Sequence, residues 1–395
     1  MAITITQQPR EFASVYNDMT TICSSDNTGL DSFSYIIQVY DLAGTTVLST
    51  QRIAPEFQYG YGILNVGRIL EGYLATDFFI NLPNDIKAND NSFVGYTIKI
   101  GEEYEVASVL TQFLDLATFN DYAFNASLLN NRWINFDITS YEFDGVTKQF
   151  LTDAPNNQRV TIHDKGYTSY YNELQVSRFI YSTYDAAGVL IQTGVIDAST
   201  MTSKIGQCPS APASINSVTL SSGTQPLITS AVSSYTVQAG DLDVGVSEIL
   251  TFDVVDCHRG RVHFLNDLGG FDAFNFTAAN KSKWEFKKDH YKQNPNRLNS
   301  NGTISFAKSD REWVQYYTNQ KETLTLVSDW ITDEESIWLR SMFSSPEIYL
   351  ELDGEIKALK GIKQNSYDIK EFQYSELFNI EVELEFSIDN YRQRG

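Results

Sequence analysis

Metal-binding residue types stand closest together in "CHRGRVHF", which holds Cys257, His258 and His263. A structural zinc ion needs four ligands closing a tetrahedron. In an extended strand Cys257 and His263 share a face but lie about 20 Å apart at ~3.3 Å per residue, and His258 points the other way. These residues read as structural histidines beside an isolated thiol. "DLDVGVSE" touches the calcium-loop pattern through Asp241, Asp243 and Glu248. It lacks a third ligand and the spacing to a terminal Glu, so it reads as a polar turn. Phosphate-binding glycine loops and the Gly-x-Ser-x-Gly nucleophile elbow are absent. With 50 acids in 395 residues, close carboxylate pairs arise by chance and single out no catalytic dyad. The expectation is a chain with no catalytic residues, no cofactor and no metal.

Two stretches hold denser chemistry. "RVHFLNDLGGFDAFNF", residues 261–276, sets Gly269 and Gly270 among Asn266, Asp267, Asp272 and several aromatic rings. Such a corner can press backbone against a ligand, or simply turn a strand whose aromatics fill a core. Val262, Phe264 and Leu268 are expected to face that core, which favours the turn. The second stretch is "KSKWEFKKDHYKQNPNR", with Lys281, Lys283, Lys287, Lys288, Lys292 and Arg297 interleaved with Trp284, Phe286 and Tyr291. Basic and aromatic residues together can bind single-stranded nucleic acid. The formal net charge of −21 argues against nucleic acid and against anionic membranes, because both require a cationic surface. The cluster therefore reads as an arm that docks on an acidic neighbouring subunit.

The elements that must carry these residues are mostly strands. Aromatic content is 13%, with 23 Tyr and 24 Phe, a composition suited to pleated half-buried surfaces. "FNIEVELEFSI", residues 378–388, alternates strictly: Phe378, Ile380, Val382, Leu384, Phe386 and Ile388 on one face, Glu381, Glu383 and Glu385 on the other. Lys357, Lys360, Lys363 and Lys370 are available as cross-strand neighbours for that acidic row. Otherwise Glu381, Glu383 and Glu385 become the acidic half of a subunit contact whose basic half is the 281–297 cluster.

Two segments have helical period. Residues 65–76 place Val66, Ile69, Leu70, Tyr73 and Leu74 on one stripe after a candidate N-cap, Asn65. Around 332–344, Thr332 and Glu335 have capping-box spacing, Trp338, Leu339, Met342 and Phe343 form the stripe, and Pro346 ends it. Residues 206–226, rich in Ser, Ala and Pro, read as a linker between an N-terminal β-rich part (1–205) and a C-terminal one (227–395). Tyr-Asp-x-Ala-Gly occurs twice between apolar runs, at Tyr40–Gly44 and Tyr184–Gly188. This predicts two similar hairpins, and no longer repeat is visible. The fold class expected is mainly β: antiparallel sandwich- or barrel-like domains with a few short covering helices.

Cys23, Cys208 and Cys257 form no Cys-x-x-Cys pair, which fits reduced thiols of a protein made in a cytoplasm. "MAITITQQPREF" shows no secretory signal, and no apolar run is long enough to span a bilayer.

Three segments resemble structural proteins of tailed bacteriophages and prophages of Bacteroidetes-type hosts. They are "RVHFLNDLGGFDAFNF", "FLTDAPNNQRVTIHDKGYTSYYN" (150–172) and "SDWITDEESIWLRSMFSSPEIYLELDG" (328–354), in the same order. What this resemblance implies is a non-enzymatic virion component of the tail, baseplate or head–tail connector. Its partners would be copies of itself and neighbouring virion proteins, assembled in a symmetric ring, and no functional residue is carried over. The alternative expectation is a carbohydrate- or receptor-binding β-module at a tail tip or cell surface, with a host surface glycan as ligand. Whether the aromatics line an exposed groove or vanish into cores discriminates the two.

Overall fold

The computed structural model describes residues 3–78, 86–241, 244–364, 366–367, 379–388 and 390–391. The chain is mainly β, in several largely antiparallel sheets with few short helices. It divides into two compact units, residues 1–256 with 265–273, and residues 257–264 with 274–395. The first division expected from sequence, at 206–226, is corrected: those residues hold a buried strand and a helix inside the first unit.

The first unit opens with β1 (Ile3–Gln7), β2 (Ala13–Ser14), β3 (Thr20–Ser25), β4 (Ser34–Asp41), β5 (Val47–Ile53) and β6 (Gly62–Asn65). Helix α1 (Gly67–Leu70), short β7 (Lys87–Ala88), β8 (Phe93–Val106) and β9 (Val109–Phe124) follow. A five-stranded sheet runs β2-β9-β8-β4-β5, with β2 parallel to β9 and every other pair antiparallel. A three-stranded sheet, β1-β3-β6, packs into the same core. Tyr35, Ile37 and Val39 of β4, with Ile98 and Ile100 of β8, are fully buried there. Their period of two is what puts them on one face.

A second set follows α2 (Asn130–Ile134): β10 (Gln158–Val160), β11 (Tyr167–Tyr171), β12 (Arg178–Tyr184), β13 (Leu190–Asp197) and β14 (Ile205–Pro209). After α3 (Pro212–Ser217) come β15 (Ser234–Asp241), β16 (Val244–Gly245) and β17 (Leu250–Val254). Its main sheet runs β10-β17-β15-β12-β13, again with the first strand parallel to the last and the rest antiparallel. β11 pairs β14 as β3 pairs β6, and β14 also pairs β7. Each set places a helix directly after the same strand. The two hairpins expected from sequence are therefore corners of a whole repeated sandwich, and the expectation that nothing longer repeats is corrected.

The ladders align the two sets residue by residue. Tyr35, Ile37 and Val39 take the places of Phe179, Tyr181 and Thr183; Ile98 and Ile100 those of Tyr235 and Val237; Phe119 that of Phe252. Both hairpins break register at the same tyrosine, Tyr40 and Tyr184. In both turns an aspartate accepts from backbone N–H groups ahead of it: Asp41 from Thr45 and Thr46, Asp185 from Ala187 and Val189. Gly44 (φ +66°) and Gly188 (φ +74°) close them in the left-handed region.

The supposed linker is short on large side chains because β14 runs against tyrosine rings. Every residue of β14 is buried, and Pro212 sits at the start of α3, where its missing N–H costs nothing. The helix expected over 65–76 is also corrected: α1 spans four residues, followed by one 3-10 turn, Glu71–Tyr73, and Leu74 is extended. Val66 is its N-cap residue, while Asn65 Oδ1 accepts from the Gly67 N–H at 3.0 Å. Tyr73 is exposed rather than part of a stripe.

Among the described residues the second unit holds an eight-stranded sheet, a separate two-stranded hairpin and one helix. Its strands are β18 (Gly260–Leu265), β19 (Phe271–Phe276) and β20 (Ala279–Lys292), then β21 (Arg297–Leu298), β22 (Ile304–Ser305) and β23 (Trp313–Val327). Helix α4 (Asp333–Ser344), β24 (Ile348–Leu352), β25 (Glu355–Ile362), β26 (Glu381–Phe386) and β27 (Asn390–Tyr391) complete it. α4 carries the expected capping box: Glu335 N–H donates to Thr332 Oγ1 at 3.2 Å, and Thr332 N–H to Glu335 Oε2 at 2.8 Å. Trp338, Leu339 and Met342 are buried.

Candidate interaction arm

The glycine corner is structural. Asn266 Oδ1 accepts from the Leu268 and Gly270 N–H groups at 3.0 and 2.9 Å, and its Nδ2 donates to the Leu151 carbonyl at 3.1 Å. Thr76 Oγ1 donates to the Gly269 carbonyl, and Thr152 Oγ1 to Asp272. A Cβ at Gly269 (φ +79°) would stand 2.1 Å from the Asn125 carbonyl oxygen, and one at Gly270 would stand 2.8 Å from Ser169 Oγ. The backbone is pressed against protein, so the polar groups of the corner hold a turn. Leu268 lies in the core of the first repeat, and Phe271 packs on Phe78 at 4.8 Å.

The histidine cluster does not converge either. Among the described residues no three His, Cys, Asp or Glu side chains stand together as a metal site. His263 is buried and its Nε2 lies 3.1 Å from Glu351 Oε2, while Cys257 is exposed. Asp243 lies outside the described residues.

The basic cluster folds into a different kind of feature. β20 and β23 pair antiparallel over fourteen positions, from Ala279↔Val327 to Lys292↔Trp313, with one register shift between Asp289 and His290. At ~3.3 Å per residue this ribbon is about 45 Å long. At its root the sheet has a core: Leu324 and Leu326 are buried against Leu384 and Val382 of β26. Paired residues point to the same side, so the face that carries Leu326 and Leu324 continues outward through Ser282 to Trp284, Phe286 and Lys288. There the burial stops, and Trp284 is 43% and Phe286 56% exposed. Beyond the register shift Tyr291, Trp313 and Tyr316 are also exposed, as are Leu298, Ile304 and Phe306 around the small β21–β22 hairpin. Opposite Trp284, Phe286 and Lys288 on the same face β23 carries Glu322, Gln320 and Thr318, so the outer face is aromatic on one strand and polar on the other.

Lys281, Lys283, Glu285 and Lys287 occupy the opposite face. Lys283 pairs with Glu285 at 2.8 Å, Lys292 with Glu312 at 2.7 Å and Arg297 with Asp310 at 2.5 Å. Lys281, Lys287 and Lys288 make no ion pair among the described residues. Lys283 holds the Glu285 carboxyl below the usual carboxylate range, mainly by that hydrogen bond.

The acidic row lies on the same sheet as the arm. Glu383 faces Thr325 and Glu385 faces Thr323, so the acids and the arm lysines share one face of one sheet, two strands apart. Lys363 reaches Glu383 at 3.0 Å and Lys360 reaches Glu385 at 3.4 Å. The hydrogen bond to Glu383 raises the Lys363 pKa. Two of the four lysines expected opposite this row thus meet it; Lys357 turns to Glu355, and Lys370 lies outside the described residues. Glu381 is exposed next to Val327. Glu383 and Glu385 are thus ion-paired within their own sheet, while Glu381 stands exposed beside them.

Elsewhere many of the aromatics fill cores. Tyr35, Tyr96, Tyr170, Tyr181, Tyr235, Phe124 and Phe179 are all fully buried. A shallow polar depression in the first unit, at Tyr16, Asn17, Asp18, Arg68, Glu71 and Asn130, is one further place where an aromatic ring meets polar side chains in the open, and Phe57, Tyr59, Tyr73 and Trp330 are exposed as well.

No protein family and no curated protein matches the chain. Among solved structures it is similar to a chain of the crystal structure of Dpr2 Ig1-Ig2 in complex with DIP-Theta Ig1-Ig3. That match has 8% identity and a TM-score of 0.18, covering 83% of this chain and 94% of the other. The strand pairing, not this likeness, defines the architecture.

Proposed function

We propose that this chain is a non-enzymatic structural component of a phage virion, at the tail, baseplate or head–tail connector, that assembles into a ring through its β20–β23 arm. The observation that carries the reading is the arm itself. Two long strands leave the core, and β20 carries Trp284 and Phe286 exposed on the face whose root is apolar. Burial stabilises roughly 25 cal/mol per Å² of apolar surface, so an uncovered aromatic row of this kind favours a partner. Trp and Tyr are also the side chains that most often anchor interfaces. The resemblance of three segments to phage structural proteins supplies the setting. The test is location: proteomics and labelled-antibody micrographs of purified particles should find the chain at fixed positions in the tail or connector. Absence from particles, with the chain free in the lysate, overturns the reading.

A second reading rests on the depression around Tyr16. Tyr16 is 53% exposed beside Arg68, Glu71 and Asn130, a set able to stack on and hydrogen-bond a sugar. A glycan array with the full chain decides it, because loss of any hit on Tyr16→Ala is expected if the depression binds.

A further inference from the structure

β20 ends the eight-stranded sheet: among the described strands it pairs with β23 alone. The register shift in the arm falls on β23, which carries Tyr316 as the extra residue, so β20 runs unbroken from Ala279 to Lys292. Its outer edge is an uninterrupted row of backbone N–H and C=O groups, a template for another strand. Lysines on an edge ordinarily discourage such pairing. Here the order of charges favours it for one occupant, a second β20.

When two copies of β20 run antiparallel with Phe286 opposite itself, directly opposite side chains share a face, as they do within the arm. Lys283 then meets Asp289 and Lys287 meets Glu285, each twice across the two-fold axis. Lys288 meets Trp284 and Lys281 meets Tyr291, a cation against a ring in both cases. Lys292 meets Asn280 and is held by Glu312 of its own copy. The existing Lys283–Glu285 ion pair becomes one side of a square. The other side is Lys287 and Asp289 of the second copy, which make no ion pair among the described residues of one chain. Positive and negative alternate around that square, both along the strands and across them. Lys321 neighbours Glu285 from β23, on the side away from the edge.

A slip of one pair destroys the match. In one direction Glu285 faces itself and Lys283 faces Lys287; in the other Lys287 faces itself and Glu285 faces Asp289. Like charges directly opposite destabilise a sheet, so the sequence specifies this register against its neighbours.

We propose that the free edge of β20 pairs antiparallel with β20 of a second copy, about a two-fold axis through Phe286. The contact joins the two sheets and gathers the exposed aromatics of both arms on one face. It is isologous, so it forms the pairs from which a ring with an even number of copies is built. The proposal rests on the assembly reading above and specifies its contact.

The test uses the full chain with Cys257→Ser, which leaves the buried Cys23 and Cys208 as its only native thiols. Single cysteines are placed on the Trp284 face and oxidised mildly. Phe286→Cys should give a disulfide-linked pair, because opposite Cα atoms in paired strands lie about 4.5–5.5 Å apart. Ser282→Cys and His290→Cys should each fail alone, their own counterparts being about 26 Å away, and should link when the two variants are mixed. Sedimentation tests the charges. Glu285→Lys with Asp289→Lys makes this face of the strand wholly positive; Lys283→Glu with Lys287→Glu makes positions 283 to 289 of it wholly negative. Each variant should weaken self-association at least tenfold with unchanged circular dichroism, and a one-to-one mixture of the two should restore it. No disulfide at 286, stronger linking at 282 or 290 alone, or a mixture no tighter than its components overturns the proposal. A chain found at fixed positions in particles without this contact overturns it and leaves the virion reading standing. A chain that pairs this way but is absent from particles does the opposite.

Discussion

Gly62 and Gly206 hold the same place in the two repeats, each opposite a side chain that occupies the space its own Cβ would need. Gly62 pairs with Cys23, whose Sγ would stand 2.9 Å from that Cβ, with the Tyr35 ring at 2.6 Å; Gly206 pairs with Tyr170, whose ring would stand 2.4 Å away. Both strands must pass this close for the small sheet to share a core with the large one. Gly62→Ala and Gly206→Ala should each destabilise the first unit by about 1–3 kcal/mol through overpacking. Urea denaturation checks this; midpoints equal to wild type at both positions would remove the equivalence.

Gly269 is the conformational centre of the 266–270 corner. Gly269→Ala meets both a φ of +79° and a carbonyl oxygen at 2.1 Å that belongs to backbone and has little room to move. The expected loss is larger than at Gly62, on the order of 3 kcal/mol or more. Thermal unfolding within one degree of wild type would contradict the packing described.

Asp121 gives the pH dependence a sign. Its carboxyl is pushed up to about 6, chiefly by burial, although the Tyr122 and Phe12 N–H groups donate to it at 2.7 and 3.2 Å. An unfolded Asp titrates near ~3.9. Between those values the folded chain holds more protons than the unfolded one, so Asp121 lowers stability as pH rises through the window and has a constant effect above it. The difference between wild type and Asp121→Asn, measured by urea midpoints from pH 4 to pH 7, should grow with pH by on the order of 2 kcal/mol. A difference that is flat or of opposite sign would refute this account of the carboxyl.

Much of this architecture is legible in the sequence, and the misreadings have physical causes. The capping box at Thr332 and Glu335, the alternation through Ile380, Val382 and Leu384, and the paired Asp–Gly turns at 41–44 and 185–188 are local signals, and each forms the expected element. The repeat is hidden because equivalent core positions exchanged chemistry: Val39 for Thr183, Ile98 for Tyr235. Only the ladder reveals them. The 206–226 stretch misleads because small residues there make room for tyrosine rings, which composition cannot distinguish from a solvated linker. Glu383 and Glu385 looked available as half of an interface; their pairing with Lys363 and Lys360 depends on which strands lie adjacent. The arm was legible as basic and aromatic, but its length and its uncovered face depend on β23, which has no comparable charge signal.

Salt should separate the two components of arm docking. Charge steers the encounter and is screened within about 8 Å at physiological ionic strength, whereas aromatic burial persists. Raising sodium chloride from 50 mM to 500 mM should slow association by roughly tenfold and leave dissociation nearly unchanged. Stopped-flow light scattering reads both rates. An association rate independent of salt would leave Lys281, Lys287 and Lys288 without a role.

The central claim is that the exposed aromatics of the arm serve assembly and nothing else in the fold. Mass photometry of the full chain against Trp284→Ser with Phe286→Ser measures it most directly. The account predicts large closed oligomers for the wild type, a variant reduced to monomers, and the same melting temperature for both; a variant that assembles like the wild type would contradict it.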